Sequence, residues 1–306
     1  MRKTVFNAAL EQAEQLFAAA AAVDYATRPI LVFYGLSQAG RAIAAAATGV
    51  DTNSWKLKGH GIEVANLDQE PPLADLALQD DGRSGSFTTI AQLLSSASLK
   101  TPATLPFLWN CIPELAVAPI GPTQHDFPVL RLSLSGARQG TNLIGWVGSL
   151  PERFLTAEHT DVSQFLANYP GLADGAVIYD HASGPAAAYR PAGNGQRMLS
   201  AVRMWPTPEG ADVHALVSAR LRRYLTDDIH WVFPKPPGAD KDIHPLVAWW
   251  AVLFTLSMLA RYHPANWIQH LDVSHRPTAV ALELALDAAV EVCPQLILDA
   301  VLEVSS

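Results

Sequence analysis

The sequence predicts an α+β protein in which N- and C-terminal helices pack as one helical bundle and a β-rich antiparallel region lies between them. Apolar residues recur at helical spacing near both ends of the chain, whereas the apolar segments of the middle are short and separated by Pro and Gly. Runs of helices, then strands, then helices are the order expected of this fold class. The predicted organisation is a helical part over residues 1–60, a β-rich middle region over 61–238, and a helical part over 239–306.

Two helices are predicted at the N-terminal end. Over residues 5–22, four apolar residues form one stripe with the spacing of an amphipathic helix: Phe6, Leu10, Ala13 and Phe17. A second, alanine-rich helix is predicted over residues 30–48, because Pro29 stands at its start and Gly49 follows its end. Its small residues, including Gly35, Ala39 and Ala42, lie on one stripe that would let another helix approach closely.

The strands of the middle region are predicted from alternation. The clearest segment covers residues 129–135, where Leu130, Leu132 and Leu134 alternate with polar or charged residues. This period of two is typical of a strand with one buried face. Four further segments are predicted to be strands: residues 142–147, 176–179, 199–205 and 229–233.

The C-terminal part is predicted to be helical again. Three helices are expected, divided by prolines: residues 245–262, 278–291 and 294–303. The longest apolar run of the chain lies in the first of them and is shorter than the roughly 20 residues that a membrane-spanning helix needs. We therefore expect a buried helix and no membrane partner.

Composition restricts the classes of partner. The formal net charge of −8 argues against general binding of nucleic acid. Only 16% of the residues are charged, below the typical value of about 25%, so we expect a homo-oligomer or a protein partner to cover apolar surface. Cys111 and Cys293 stand far apart among apolar neighbours, which is typical of buried thiols and of a cytoplasmic protein.

A polar stripe on the second helix is the main candidate site. Its residues lie at positions i, i+4 and i+7: Tyr34, Gln38 and Arg41. Ser257 and Arg261 share a face of the helix over residues 245–262, and Tyr262 follows them. If the two helices pack together, the arginines require a carboxylate of this chain or a bound anion between them. A hydrogen-bonded structural network and a site for a nucleotide or phosphate group both remain open.

Two histidines extend the candidate site. His60 lies between Gly59 and Gly61, which would let the backbone approach a ligand closely, so His60 is either a base, a phosphate contact or a residue that stabilises a turn. His263 precedes Pro264, at a helix end where a side chain caps carbonyls or faces a cleft.

Other enzyme signatures fit poorly or are missing. Residues 30–41 imitate a strand, a nucleophile elbow at Ser37 and a helix, but the elbow motif requires Gly where the chain has Ala39. The phosphate-binding, dinucleotide-binding and zinc-protease motifs are absent from the sequence, so it indicates no cofactor and no metal. The acidic residues Glu283, Asp287 and Glu291 share one helix face and are interpreted as solvated surface rather than as a metal site.

Three stretches resemble the bacterial YaaC-like family: residues 33–42, 59–62 and 256–267. The last is the most specific, because a serine, an Arg-Tyr pair, a proline and Trp267 stand there in a characteristic arrangement, and Trp267 joins the candidate binding residues. The order and separation of the stretches extend the resemblance to nearly the full length. The resemblance implies a cytoplasmic bacterial protein and a fold rather than an activity.

Two classes of function follow from these observations. The first is a regulatory or interaction component of a larger assembly, with an anion- or nucleotide-binding polar cluster between helices. The second is an enzyme, either a HEPN-like nuclease or nucleotide-handling enzyme, or a serine hydrolase that uses Ser37. In the HEPN class an Arg and a His lie a few residues apart on one helix, whereas Arg261 and His270 are separated by eight residues that include Pro264.

Overall fold

The structure, a computed structural model, contains two compact units, Met1–Asp126 with Pro236–Ser306 and Phe127–Lys235. It describes residues 2–48, 55–121, 127–139, 142–178, 185–191, 196–207, 212, 215, 220–222, 224–225 and 230–306.

The first unit is built on long helices from both ends of the chain. Its described helices are α1 (Arg2–Ala22), α2 (Arg28–Ala46), α3 (Ser86–Leu93), α4 (Leu105–Asn110), α6 (Pro245–Tyr262), α7 (Pro264–His270) and α8 (Ala279–Ser305). Helix α2 lies against α1, α6 and α8. The N- and C-terminal helices therefore form one bundle, as the hydrophobic period predicted.

Small residues allow the helices of this bundle to approach closely. A methyl group placed on Gly35 of α2 would lie 3.0 Å from the Phe17 ring of α1. On the other side, a methyl group on Gly40 would lie 2.5 Å from the Trp250 ring of α6. Ala39 and Ala42 are fully buried between these contacts. The predicted small-residue stripe is thus a helix-packing surface.

Helix α6 is the apolar centre of the bundle. By length and composition it could cross a membrane, but most of its residues are buried within the protein. Trp249 and Trp250 lie among the largest fully buried side chains. This agrees with the prediction of a buried helix.

A small sheet also belongs to the first unit. Its antiparallel strands are β1 (Glu63–Val64), β2 (Ala77–Gln79) and β3 (Ala103–Thr104), in that order, with Leu78 opposite both Val64 and Ala103. The predicted β-rich middle region began at residue 61, whereas the second compact unit begins at Phe127. The two boundaries differ because the small sheet belongs to the same compact unit as the helices.

The second unit contains an antiparallel sheet, against which helix α5 (His159–Leu166) packs. Its strands are β4 (Leu130–Gln139), β5 (Asn142–Gly148), β6 (Ala176–Ile178), β7 (Ala188–Pro191), β8 (Arg197–Pro206) and β9 (His230–Val232). The order is β6-β8-β5-β4-β9, and β7 pairs with β8 as well. Leu132 stands opposite Val147, and Val147 opposite Ala201, so their side chains form one buried face with Phe165 of α5. All five predicted strands are present, within a few residues of their expected ends.

The structure corrects two predictions about helices. Pro294 was expected to divide two helices, but α8 continues through it, with Ala289, Cys293, Leu296 and Ile297 buried on its inner side. Burial on both sides of the proline outweighs the lost backbone hydrogen bond. The second correction concerns Ser37, which lies inside α2 and not on a strand-to-helix elbow, so the serine hydrolase interpretation is wrong.

Candidate functional site

The exposed end of α6 meets the outer side of α2. Arg261 is the last basic residue of α6, and its Nη1 donates a hydrogen bond of 2.9 Å to the Tyr34 hydroxyl of α2. The helical period places Tyr34 on the outward side of α2 while Phe33 is fully buried. The two helices that were predicted to share a polar cluster therefore do meet through Arg261 and Tyr34.

Arg261 is held in place by uncharged hydrogen-bond acceptors. Besides Tyr34, its Nε donates to the Ser257 carbonyl at 3.3 Å and its Nη2 to the Met258 sulfur at 3.0 Å. No acidic residue in the described part of the chain forms an ion pair with it. A guanidinium has five N–H donors, so two remain for a ligand. The carboxylate required by the structural-network interpretation is not found among the described residues.

Aromatic rings surround the guanidinium. Its central carbon lies 5.5 Å from the centre of the Tyr34 ring and 5.1 Å from that of the Tyr262 ring, both within cation–π range. Tyr34 is 38% exposed and Tyr262 is 62% exposed. Together with His60, these residues form what we call the Arg261 surface, defined as Tyr34, His60, Arg261 and Tyr262.

His60 contributes an imidazole that is neutral near pH 7. Its ring packs against Phe33 and Phe254, with centroids 5.6 Å apart in each case. The loss of solvation on that side, and then the positive charge of Arg261, lower the pKa of His60, while Asp81 opposes this shift. No described residue forms a hydrogen bond with the His60 ring, so none of the described carboxylates orients it as a catalytic base.

His263 has a partner that the sequence did not indicate. Its Nδ1 lies 3.0 Å from an Oε1 atom of Glu70. Glu70 follows the short 3-10 helix Leu67–Gln69 and has a left-handed backbone, with φ of 46°. The contact joins residues that are 193 positions apart, and no spacing rule connects them.

The remaining predicted residues lie elsewhere. Gln38 and Arg41 continue the stripe on α2 and are half-buried, and Arg41 donates to the Leu57 carbonyl at 3.1 Å. Ser257 is fully buried, and its hydroxyl donates to the Phe254 carbonyl at 2.9 Å. Trp267 is 1% exposed and donates to two carbonyls of the turn between α1 and α2. Ser257 and Trp267 therefore belong to the core and not to the Arg261 surface.

The HEPN arrangement is not formed. Arg261 lies in the last turn of α6, whereas His270 is the last residue of the next helix, α7, and is buried. The two side chains thus share no helix face. Within the described ranges no group of three or more His, Cys, Asp or Glu side chains could hold a metal ion. Asp287 of the acidic stripe instead forms an ion pair with Arg28 and accepts a hydrogen bond from the Tyr25 hydroxyl.

Comparison with known proteins identifies the family. The family model described as YaaC-like protein matches residues 2–301, nearly the whole chain and both compact units. The chain belongs to the YaaC-like family. Searches of curated proteins and of solved structures find no significant match. In this YaaC-like chain, the three stretches that carry the resemblance include all four residues of the Arg261 surface.

Proposed function

We propose that this YaaC-like protein is a regulatory or interaction component whose Arg261 surface binds a ligand with a phosphate group and a planar ring, such as a nucleotide. The observation that carries the proposal is a guanidinium that lies within cation–π distance of two exposed aromatic rings and has no carboxylate partner among the described residues. An arginine of this kind is a strong and geometrically specific site for phosphate oxygens.

The rings of Tyr34 and Tyr262 would contact the planar ring of the ligand. A base can stack on an exposed tyrosine, and such stacking is worth about 1–3 kcal/mol per base. The neutral state of His60 near pH 7 leaves Arg261 as the charged group of the surface. As pH falls, protonation of His60 would add a second positive charge beside a bound phosphate.

The proposal is tested by calorimetric titration of the full chain with AMP and with ribose 5-phosphate, which lacks the ring. We expect AMP to bind more tightly. Arg261→Gln removes a charge-assisted contact worth about 1.5–3 kcal/mol and should weaken AMP binding by about 10- to 100-fold. Tyr262→Ala should weaken AMP but leave ribose 5-phosphate unchanged.

Arg276→Gln is the matched control, because Arg276 is an exposed arginine of the same unit outside the Arg261 surface. It should bind AMP like the unmodified chain. Stability provides a second check. A clamp between buried charges would lose about 3–5 kcal/mol on removal of Arg261, whereas a ligand site of this exposure should lose about 1 kcal/mol or less. Absence of AMP binding, or AMP binding unaffected by Arg261→Gln, would contradict the proposal.

We also propose that the protein works in the cytoplasm of a bacterium and as part of an assembly, either a homo-oligomer or a complex with a protein partner. Both described cysteines are free and buried, which suits a reducing compartment. Large apolar side chains stay exposed on α8, among them Leu298 and Leu302. Such side chains would be covered in an assembly.

A further inference from the structure

An open cavity of about 660 Å³ lies beside α3 in the first unit. Its charged lining consists of Arg83, Lys100, Lys241 and Asp80, and the rest is mainly hydroxyl side chains from α3 and from the adjoining loops. A second cavity of about 250 Å³ shares Lys100 and Lys241 with the first and includes Asp240. Neither cavity contains a residue of the Arg261 surface.

The lining of the larger cavity carries more positive than negative charge. Arg83, Lys100 and Lys241 are exposed, and none forms an ion pair with a carboxylate in the described ranges. The lining thus carries three positive charges against one negative charge, in a chain whose formal net charge is −8. Concentrated positive charge in a concave surface raises the local concentration of anions.

The single carboxylate is already engaged. An Oδ1 atom of Asp80 accepts a hydrogen bond of 3.0 Å from the Leu99 backbone N–H, and the Ser98 hydroxyl donates to the same carboxylate. Asp80 is half-buried, and this burial raises its pKa despite these hydrogen bonds and the nearby Lys100. Asp80 therefore stabilises the loop that carries Lys100, and it offsets only one of the three positive charges of the lining.

Hydrogen bonds join the three segments that supply the cations. Asp80 donates its backbone N–H to the Leu99 carbonyl at 2.9 Å, which ties the strand before Arg83 to the segment before Lys100. Ala97 donates to the Asp242 carbonyl at 2.9 Å, which ties that segment to the one containing Lys241. The positions of the backbones are therefore set before any ligand binds, which reduces the entropic cost of binding.

The turn that carries Arg83 is fixed from the other side. The Ser86 hydroxyl and the Phe87 N–H donate to the Gly59 and His60 carbonyls, at 2.8 Å each. A methyl group on Gly85 would lie 2.3 Å from the backbone of Gly61, so glycine is required for this approach. The backbone N–H groups of Ser86 and Phe87, at the start of α3, both donate to carbonyls of this segment, so they are not available to a ligand. The positive charge of the cavity therefore comes from side chains.

We propose that this cavity binds a small, soluble anion with two or more phosphate groups, held by Lys100, Lys241 and Arg83. Lysine ammonium groups bind phosphate as point charges and an arginine binds it through directed N–H donors, and two lysines with one arginine around one cavity favour a multiply charged ligand. The volume falls within the range of about 300–1,000 Å³ typical of small-molecule sites. The polar lining excludes a mainly apolar ligand. This proposal does not rest on the Arg261 surface.

Inorganic tripolyphosphate is the probe that separates the two sites, because it has the phosphates and lacks a ring. In calorimetric titration of the full chain, we expect binding that weakens as salt is added. Lys100→Gln and Lys241→Gln should each weaken binding by about tenfold or more. Lys3→Gln, the same charge change on an exposed residue of α1, should not. Arg261→Gln should also leave tripolyphosphate binding unchanged.

Acetylation of individual lysines tests the proposal on the unmodified chain, so its result does not depend on how well the variants fold. The unmodified chain is acetylated with and without tripolyphosphate, and the modified lysines are identified by mass spectrometry. Protection of Lys100 and Lys241 but not of Lys3 supports the proposal. The proposal is overturned if the unmodified chain does not bind tripolyphosphate at low salt, or if all three lysines are protected equally. It is also overturned if vesicles with phosphorylated headgroups bind while soluble tripolyphosphate does not.

Discussion

His270 gives the clearest prediction at the scale of single residues. It is 8% exposed, and its burial, followed by the charge of Arg276, lowers its pKa below the usual 6.5. The unfolded chain then takes up a proton at a higher pH than the folded chain. The contribution of His270 to the free energy of unfolding should be fully present above pH 6.5 and should be lost as pH falls toward the folded-state pKa. The pKa of His60 is also lowered, so His60 acts in the same direction.

Urea denaturation at pH 7.5 and pH 5 tests this prediction. His270→Gln should reduce the loss of stability between the two pH values, because glutamine does not titrate. His275→Gln is the control, since His275 is exposed at the surface. Equal pH dependence in His270→Gln and the unmodified chain would show that another group is responsible.

Residues within one helix were easier to predict than residues brought together from separate segments. The helical period alone places Tyr34 on the outward side of α2 and Arg261 at the end of α6, and these two do meet. Glu70 was not predicted, because a 3-10 turn with a left-handed end sets its position. Lys100 and Lys241 were not predicted either, because hydrogen bonds between distant loops bring their segments together.

At the scale of elements, the close approach of α2 to α6 predicts that alanine at position 40 destabilises the protein, although alanine is normally the better residue inside a helix. Replacing glycine by alanine inside a helix usually stabilises it by about 1 kcal/mol. At Gly40 the added methyl group would lie 2.5 and 2.7 Å from two atoms of the buried Trp250 ring. Overpacking of this kind costs about 1–3 kcal/mol, so Gly40→Ala should lower the free energy of unfolding, measured by urea denaturation.

Two comparisons make the Gly40 test specific. Gly35→Ala should cost less, since its methyl group would lie 3.0 Å or more from Phe17, which is less tightly enclosed. Trp250→Phe removes both ring atoms that meet the methyl group, so the double variant should be more stable than additive losses predict. A stabilised Gly40→Ala variant would mean that α2 and α6 are further apart than described.

The elements themselves were predicted where their period is long. Helices α1, α2 and α6 and the longer strands of the second unit, β4, β5 and β8, each repeat an apolar pattern over several turns or pleats. No elements were predicted between α2 and the second unit, where the strands contain two or three residues and the helices α3 and α4 contain eight and six. At Pro294 the error was of the opposite kind. The proline predicted a break between two helices, but packing of the residues on both sides keeps α8 continuous.

At the scale of the whole molecule, the low charged fraction and the surface of α8 together predict self-association. Four large apolar side chains of α8 are exposed: Val280, Leu284, Leu298 and Leu302. At 100° per residue all four fall within about 40° of one another around the helix, so they lie on one face. Val280 and Leu284 lie near the N-terminal end of α8 and Leu298 and Leu302 near its C-terminal end. Asp287 and Glu291 lie between the two pairs along the helix.

This arrangement favours pairing of α8 with α8 of a second copy, because the apolar ends of the two helices would then cover each other. We expect light scattering at micromolar concentration to give the mass of a dimer or a larger oligomer. Leu298→Glu combined with Leu302→Glu should shift the protein toward the monomer, since two charges would face apolar surface. Val273→Glu, on an exposed residue outside α8, should not. A monomer for the unmodified chain would contradict self-association, and an unchanged oligomer in the double variant would place the interface on another surface.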